Sequence, residues 1–188
     1  MKPLIFLRRC ALLLPVLALL GGCTTQKPLA TATSAAETVV YVVRHAEKNL
    51  TPGLADPPLT AAGQQRALAL HDTLRRVAID AVFSTATSRT RATAAPLAAQ
   101  KRQEIMPYDA KQLPALATRI HRDYRGRAVL VVGHSNTILE TVEALGAARP
   151  VATIGDNEYD YLLEVHIPKD STRAATAIAR RYGASSGR

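Results

Sequence analysis

The sequence predicts an α/β fold, a three-layer α/β/α sandwich with a mostly parallel sheet. Two observations support this prediction. Continuous apolar runs at residues 39–43 and 128–132 are typical of strands that are buried on both faces of a sheet. Helical segments separate the apolar runs, and this β-α-β-α order places helices on both faces of a parallel sheet.

The elements after the first strand follow in order along the chain. A proline-rich loop at residues 50–58 precedes a helix at residues 60–77, in which Leu70, Leu74 and Val77 form one apolar stripe. The elements predicted next are a strand at 81–85, a helix at 88–100, a strand at 104–108, a helix at 112–124, the second apolar strand and a helix at 136–145. Two alternating strands at 161–167 and 174–182 end the fold as a hairpin around residues 168–170.

The N-terminus has the pattern of an export signal. A basic start is followed by an apolar stretch at residues 11–20 that is too short to span a bilayer. The sequence Leu20-Gly21-Gly22-Cys23 resembles a bacterial lipobox, which implies cleavage before Cys23 and lipidation of its thiol. Thr24 follows in place of Asp, and this resemblance then implies the periplasmic face of the outer membrane rather than the inner membrane. An ordinary signal peptide or an uncleaved anchor are the alternatives.

Composition divides the chain into four segments. Residues 1–22 are the predicted signal peptide, 23–37 a flexible tether rich in Thr, Ala and Ser, 38–182 the globular domain and 183–188 a disordered tail. Cys10 and Cys23 are the only cysteines, so the domain contains no disulfide despite the predicted oxidising compartment. We expect a monomer.

The net charge of +9 suggests anionic ligands. Three of the 24 basic residues lie in the predicted signal, which leaves 21 basic against 15 acidic side chains and a net charge of +6. The basic residues are scattered and have few aromatic residues between them, which argues against a nucleic-acid-binding protein. A basic surface that favours anionic ligands or lipid headgroups accounts for the charge.

Both apolar strands end in a histidine. His45 follows the first strand within Arg44-His45-Ala46-Glu47, and His134 follows the second within Gly133-His134-Ser135. Because the carboxyl ends of the strands line the ligand crevice in open α/β sheets, both imidazoles are expected at the place where such folds bind ligands.

Four motifs in order resemble the histidine phosphatase superfamily, whose fold is phosphoglycerate mutase-like. They are Arg44-His45-Ala46, Leu59-Thr60-Ala61-Ala62-Gly63, the segment from Ser84 to Ala94 that contains Arg89, and Gly133-His134. Together they cover nearly the whole predicted domain.

The resemblance implies a metal-independent phosphomonoesterase with no cofactor. His45 would be the nucleophile that becomes transiently phosphorylated, and His134 would hydrogen-bond the phosphoryl group. Arg44 and Arg89 offer forked N–H donors that match phosphate oxygens, and their charge disfavours protonation of a neighbouring imidazole. Water would then release phosphate from His45.

The general acid is left open between several carboxyl groups. Asp109 follows the third predicted strand, where many members of the superfamily place an acid, and is the first candidate. It could equally be a loop cap. Asp156 and Glu158 are the reserve candidates, whereas Glu47 is expected to support its loop. A reaction without an acid would suit substrates with good leaving groups.

The remaining histidines, His71, His121 and His166, have no motif around them and are expected at the surface or in packing roles. The sequence His45-Ala46-Glu47 also matches the His-x-Glu of zinc deaminases, but the chain lacks the Pro-Cys-x-x-Cys that those enzymes require.

The leading functional hypothesis is a lipid-anchored phosphomonoesterase. No segment is long enough to form a large cap over the site, so the expected substrate is a small phosphorylated molecule or a phosphorylated residue of another protein. A phosphate-binding envelope lipoprotein with little or no turnover is the alternative. A structural envelope lipoprotein ranks last, because it has no use for two arginines and two histidines at strand ends.

Overall fold

The computed structural model describes residues 37–187. In this part of the chain, strands and helices alternate up to the final hairpin. The elements are β1 (Thr38–Arg44), α1 (Ala61–Leu74), β2 (Ile79–Ser84), α2 (Ser88–Lys101), β3 (Ile105–Pro107), α3 (Leu113–Asp123), β4 (Ala128–Gly133), α4 (Ile138–Ala144), β5 (Tyr161–Ile167) and β6 (Thr176–Arg181).

The six strands form one mixed sheet in the order β3-β2-β4-β1-β5-β6. The pairs β2–β3, β2–β4 and β1–β4 are parallel, whereas β5 runs antiparallel to both β1 and β6. Only β5 therefore opposes the other strands, and the prediction of a mostly parallel sheet is confirmed. The β5–β6 hairpin was also expected, and the bounds of β5 agree with the predicted strand.

Helices cover both faces of the sheet and complete the predicted three-layer sandwich. On one face α3 and α4 pack against apolar side chains of β1, β4 and β5, and on the other α1 and α2 pack against the alternate side chains of the same strands. The alternation is visible in β1, where Val40 and Val42 belong to the first cluster and Val43 to the second. Both clusters are built from residues between Val40 and Tyr182, so residues 37–187 contain a complete core.

The start of α1 explains one motif of the sequence. The Thr60 hydroxyl caps the helix by accepting from the Gly63 N–H at 3.1 Å, and the Thr60 N–H donates to the Glu47 carbonyl at 2.9 Å. A Cβ at Gly63 would collide with that same carbonyl oxygen. The Thr-x-x-Gly pattern therefore lets α1 approach the segment that follows β1.

The end of the described chain differs from the predicted disordered tail. Ser186 is 7% exposed, and its hydroxyl donates to Asp160 at 2.6 Å and accepts from the backbone N–H of Tyr159 and Asp160. The tail is held through at least this residue because a buried carboxylate needs hydrogen-bond donors.

The predicted signal peptide, Cys23 and nearly all of the predicted tether lie outside the described residues. Within residues 37–187, no helix has the length and apolar character needed to cross a membrane.

Candidate active site

The parallel register of β1 and β4 brings the two predicted histidines together. Arg44 is paired with Gly133 at the carboxyl ends of the strands, and the His45 N–H continues the ladder by donating to the Gly133 carbonyl at 2.9 Å. The next residues are His45 and His134, whose ring centroids lie 5.5 Å apart at an interplanar angle of 66°. Two residues almost 90 positions apart thus meet because of one strand pairing.

His45 is buried and held in one orientation. The residue is only 3% exposed, and its Nδ1 atom lies 2.8 Å from the Ala46 carbonyl oxygen. Because a carbonyl can only accept, Nδ1 carries the proton of the neutral ring and Nε2 keeps its lone pair. The Ala46 N–H in turn donates to the buried Thr93 hydroxyl at 2.9 Å, which fixes this turn against α2.

The environment of His45 keeps its ring neutral. The pKa of His45 is lowered to about 3, chiefly by burial, and the charges of Arg44 and Arg89 contribute to this shift. The hydrogen bond to Ala46 opposes this shift without cancelling it. At neutral pH the Nε2 atom is therefore unprotonated and carries a free lone pair beside two cations.

Arg44 has one end of its guanidinium bound to protein and the other available. Nη1 donates to the carbonyls of Gly155, Asp156 and Glu158 at 3.1, 2.7 and 3.4 Å. The guanidinium carbon lies 4.0 Å from the centroid of the Tyr159 ring, a cation–π contact. Its buried Nε has no acceptor within the described residues.

Arg89 lies in the first turn of α2, where a loop residue holds it. Asp56 accepts from the Ser88 N–H at 2.8 Å with Oδ2, while Oδ1 lies 3.4 Å from Nη1 of Arg89. Asp56 therefore caps α2 in place of Thr87, whose side chain makes no capping bond. The buried Nε of Arg89, like that of Arg44, finds no acceptor in the part of the chain that the structure describes.

His134 is held by a chain of hydroxyl groups. Its Nε2 lies 3.0 Å from the Thr85 hydroxyl, which donates to the Thr90 hydroxyl at 2.9 Å. The Thr90 hydroxyl donates to backbone carbonyls, so the network assigns the proton to Nε2 of His134. Burial is the first cause that lowers the pKa of His134, followed by the charges of Arg89, Arg44 and Lys48.

Gly133 allows this part of the site to close. A Cβ at Gly133 would lie 2.8 Å from the Tyr108 hydroxyl oxygen and 3.2 Å from Oγ1 of Thr137. Any larger residue would push apart β4 and the loop after β3, and this explains the glycine that precedes the second histidine.

The four predicted groups line one cavity of about 450 Å³. Arg44, His45, Arg89 and His134 share it with Lys48 and Asp156. Its cationic groups outnumber its single carboxylate. The Nε atoms of its two arginines are buried and have no partner in the described chain. Because an unpaired buried donor is costly, this arrangement is suited to bind a multivalent oxyanion beside Nε2 of His45.

Asp109 does not line this cavity. It lies with Tyr108, Thr85 and His134 in an adjoining cavity of about 480 Å³, and its Oδ1 accepts from the Lys111 N–H at 2.9 Å. That contact is the loop cap named as the alternative for this residue. Only His134 and no carboxylate is common to both cavities.

The other carboxyl groups have different surroundings. Asp156 lines the cavity of His45. The carboxylate of Glu158 accepts from the Gly155 N–H at 2.8 Å and pairs with Arg181 at 3.2 Å. Glu47 pairs with the buried Arg66 at 2.7 Å, in agreement with a role in supporting its loop.

The histidines without motifs lie away from the cavity. His71 lies 3.1 Å from Asp72 and His166 pairs with Glu37 and Glu164, while His121 is exposed on α3. Within residues 37–187, no group of three or more His, Cys, Asp or Glu side chains is arranged to hold a metal ion.

Sequence reasoning missed the residues that position the catalytic candidates. Thr93 and Thr85 lie in the third motif and could have been singled out from it, because each supports a histidine from a neighbouring element. Asp56 and Tyr159 have no such signal. Their contacts depend on how two irregular loops fold back over the ends of the strands.

Known proteins resemble this chain in part of the sequence and in the fold. The model of the histidine phosphatase superfamily (branch 1) matches residues 40–112, which include three of the four motifs. This match confirms the family resemblance inferred from the motifs. Among curated proteins, none matches the sequence significantly.

Solved structures share the fold. A mycobacterial glucosyl-3-phosphoglycerate phosphatase with inorganic phosphate has a TM-score of 0.57 and 13% identity, over 78% of this chain and 97% of that chain. The protein histidine phosphatase SixA complexed with tungstate has a TM-score of 0.56 and 18% identity, over 77% of this chain and 95% of that chain. A structure described as mycobacterial hydrolase 2 has a TM-score of 0.59 and 14% identity, over 81% of this chain and 93% of that chain.

Proposed function

We propose that this chain, whose residues 40–112 match the model of the histidine phosphatase superfamily, is a phosphomonoesterase that works through a phosphohistidine at His45. The observation that carries the proposal is the neutral, buried His45 ring, whose free Nε2 shares a cavity with two unpaired arginine N–H groups. Neither feature is useful without a ligand that is both anionic and electrophilic.

Substrate binding uses the two arginines. The phosphoryl oxygens accept from the unpaired N–H groups of Arg44 and Arg89, which replaces the missing partners of two buried donors. The carbonyls around Nη1 of Arg44 fix the direction of that guanidinium, so the anion meets donors that are already oriented. Lys48 adds a third positive charge to the cavity.

The reaction has two steps. Nε2 of His45 attacks phosphorus with its lone pair, the bond from phosphorus to the ester oxygen breaks, and the leaving oxygen takes up a proton. Water then attacks the phosphohistidine, the N–P bond breaks and inorganic phosphate leaves. The Ala46 carbonyl stabilises the phosphorylated ring because it accepts from Nδ1–H throughout. His134 supports the transferring phosphoryl group from the facing strand.

The proton for the leaving group is assigned to Asp156 or Asp109, and the two are separable by experiment. Asp156 shares the cavity of His45, whereas Asp109 borders the neighbouring cavity that also reaches His134. Replacement of the true acid by Asn slows hydrolysis of an alkyl phosphate far more than hydrolysis of p-nitrophenyl phosphate, whose leaving group needs no proton. Equal loss on both substrates would exclude that residue as the acid.

The kind of substrate is a separate question from the type of reaction. Two of the structural relatives are a glucosyl-3-phosphoglycerate phosphatase and a protein histidine phosphatase. We propose a phosphorylated small molecule or a phosphorylated protein residue for this chain as well. A panel of both kinds, assayed with and without EDTA, tests the class of substrate and the proposed metal independence together.

The cellular setting rests on the N-terminal sequence. We propose that Cys23 is acylated and that the domain is held at the periplasmic face of the outer membrane by residues 23–37. Mass spectrometry of the mature protein tests the modification, and fractionation of wild-type protein against Cys23→Ser tests the location.

The test of activity is phosphate release by wild-type protein and by His45→Ala. We expect steady release from p-nitrophenyl phosphate that is abolished by the substitution. Release that survives in His45→Ala would refute the assignment of the nucleophile. Tight binding of vanadate without turnover of any phosphorylated compound would instead favour a phosphate-binding envelope lipoprotein.

A further inference from the structure

A third cavity lies at the end of the sheet opposite the candidate active site. It has a volume of about 460 Å³ and includes Thr38, the first residue of β1. Its charged or titratable lining residues are all basic or imidazole groups, namely His121, Arg125, Lys169 and Arg173. Apolar side chains, among them Leu145 and Ile167, form the rest of its wall.

Backbone contacts place these basic residues around the point where the chain enters the domain. On one side, the Gly126 N–H donates to the Thr38 hydroxyl at 2.9 Å and the Val39 N–H donates to the Arg127 carbonyl at 3.0 Å. On the other side, Thr38 is paired with Ile167 at the start of the β5–β6 turn. The Arg125 loop and the Lys169–Arg173 turn therefore flank the chain entry.

The basic character extends along the same end of the sheet. Each of α1, α2 and α3 starts after the carboxyl end of one strand and ends before the next parallel strand begins, so the helix C-termini lie at this end. Arg75, Arg76 and Arg102 follow α1 and α2 and are exposed. We call Arg75, Arg76, Arg102, Arg125, Lys169 and Arg173 the tether-end surface.

The charges of this surface are largely uncompensated. None of its six residues forms a salt bridge within residues 37–187. Of the acidic residues at this end, Glu37, Asp80 and Asp123 pair with His166, Arg127 and Arg122. Glu104 is exposed two residues after Arg102. Asp170 accepts from Thr172 in the basic turn, where these hydrogen bonds and then the charge of Arg173 lower the pKa of Asp170. Helix dipoles favour cations after α1 and α2, but they do not account for Lys169 and Arg173 in a hairpin turn.

The segment between Cys23 and the domain is short and carries little charge. Residues 23–36 contain Lys27 and no acidic residue, and Glu37, the last residue of the tether, pairs with His166. Fourteen residues reach at most about 50 Å when extended, and a flexible chain of that length spans about 20 Å on average. The tether-end surface is thus kept within reach of the bilayer that holds the lipid.

We propose that the tether-end surface docks on an anionic phospholipid bilayer, so that the catalytic cavity faces away from the membrane. This inference rests on the lipid anchoring proposed above. Three exposed cations around the chain entry attract phosphate headgroups, and the apolar wall between them accommodates the glycerol region. Docking leaves the carboxyl ends of the strands open to substrates in the periplasm.

The test uses the unlipidated domain, which contains its own complete core. Its partition is measured onto vesicles of phosphatidylcholine with and without phosphatidylglycerol, at low and high salt. We expect binding only to the anionic vesicles, with loss at high salt. The double variant Lys169→Glu/Arg173→Glu is expected to bind about tenfold to a hundredfold more weakly than wild type.

A matched variant controls for net charge. Arg91→Glu/Lys111→Glu removes the same charge from exposed residues at the catalytic end and is expected to bind within about threefold of wild type. Equal loss in both double variants, or equal binding to both kinds of vesicle, would overturn the proposal. Thermal unfolding of both variants verifies that they fold.

A site-specific probe tests the orientation. The domain contains no cysteine, so Ser171→Cys in the basic turn and Leu54→Cys at the catalytic end each accept one fluorophore. We expect lipid-borne quenchers to reach the label at residue 171 and not the label at residue 54, and the reverse would overturn the orientation. Absence of acylation at Cys23 would refute the anchor alone, because vesicle binding is read without it and without turnover.

Discussion

The ends of β1 and β4 carry equivalent residues but hold them in different ways. At the end of β1, His45 is bound through Nδ1 to its own backbone and is almost completely buried. At the end of β4, His134 is bound through Nε2 to a side-chain hydroxyl and is less buried. His45 is thus fixed with its Nε2 atom free, whereas His134 is fixed with its Nε2 atom hydrogen-bonded.

This difference supports the roles that we propose for the two histidines. A nucleophile needs a free lone pair and a fixed direction, and only His45 has both at Nε2. His134 has a proton at Nε2, and its ring centroid lies 5.5 Å from that of His45, so that both rings border the same cavity. The same residue type therefore serves two purposes because the hydrogen-bond partner of each ring differs.

Replacement of either histidine should lower kcat, and replacement of His45 should lower it most. His45→Asn should lower kcat by more than about a thousandfold, because it removes the atom that forms the covalent bond. His134→Asn should lower kcat about a hundredfold, because it removes the imidazole that faces the transferring phosphoryl group and leaves the nucleophile in place. Steady-state kinetics on p-nitrophenyl phosphate measures both, and a smaller loss for His45→Asn than for His134→Asn would reverse the assignment.

The buried His45 ring also predicts how stability depends on pH. Its pKa is about 3 in the folded protein and about 6.5 when unfolded. Between these values only the unfolded state binds the proton, so stability falls as the pH drops from 6.5 towards 3, by about 1.4 kcal/mol per pH unit. Urea unfolding at several pH values should show this slope, and His45→Gln should reduce it.

The matched control for that measurement is His121→Gln, which removes one exposed imidazole from α3. An equal change of slope in both variants would contradict the role given to burial at His45.

The hydroxyl network gives a smaller effect on the β4 side. Thr85→Val removes the acceptor of His134 Nε2–H and should lower kcat about tenfold, whereas Thr85→Ser keeps the hydroxyl and should retain most activity. The two variants are compared by kcat, with thermal unfolding as the check on folding. Equal activity of Thr85→Val and wild type would show that the network does not position the ring.

The loop that holds Arg89 should influence KM more than kcat, and only by a few-fold. Asp56→Ala removes the cap of α2 and should raise KM about fivefold with little change in kcat, because it loosens Arg89, the proposed ligand of the phosphoryl group. Asp56→Asn keeps an acceptor for the Ser88 N–H and should stay within about twofold of wild type. If both variants raise KM equally, the ion pair and not the cap positions Arg89.

Much of the fold was predictable because its signals are local. The buried runs of β1 and β4 follow from continuous apolar sequence, and the bounds of β5 follow from alternation. The meeting of His45 with His134 needed only the rule that parallel strands end at the same edge. Four motif residues, Arg44, His45, Arg89 and His134, were thereby placed in one cavity.

The parts that sequence could not supply depend on loops. Asp109 is the first candidate for the acid because it follows β3, and the turn after β3 places it in a neighbouring cavity where it also caps that turn, so the sequence does not decide between Asp109 and Asp156. Asp56 lies in a proline-rich loop whose return path has no periodic signal. Ser186 lies in a polar tail, and only the buried carboxylate of Asp160 explains why it is held.

The central claim is that His45 carries the phosphoryl group during turnover. Rapid acid-free quenching of the enzyme with substrate, followed by trypsin digestion, isolates His45 in the short peptide between Arg44 and Lys48 for mass spectrometry. The account predicts one added phosphoryl group on that peptide, at a level that rises and decays with substrate. Turnover with no phosphoryl group on His45, or with one on any other residue, would contradict it.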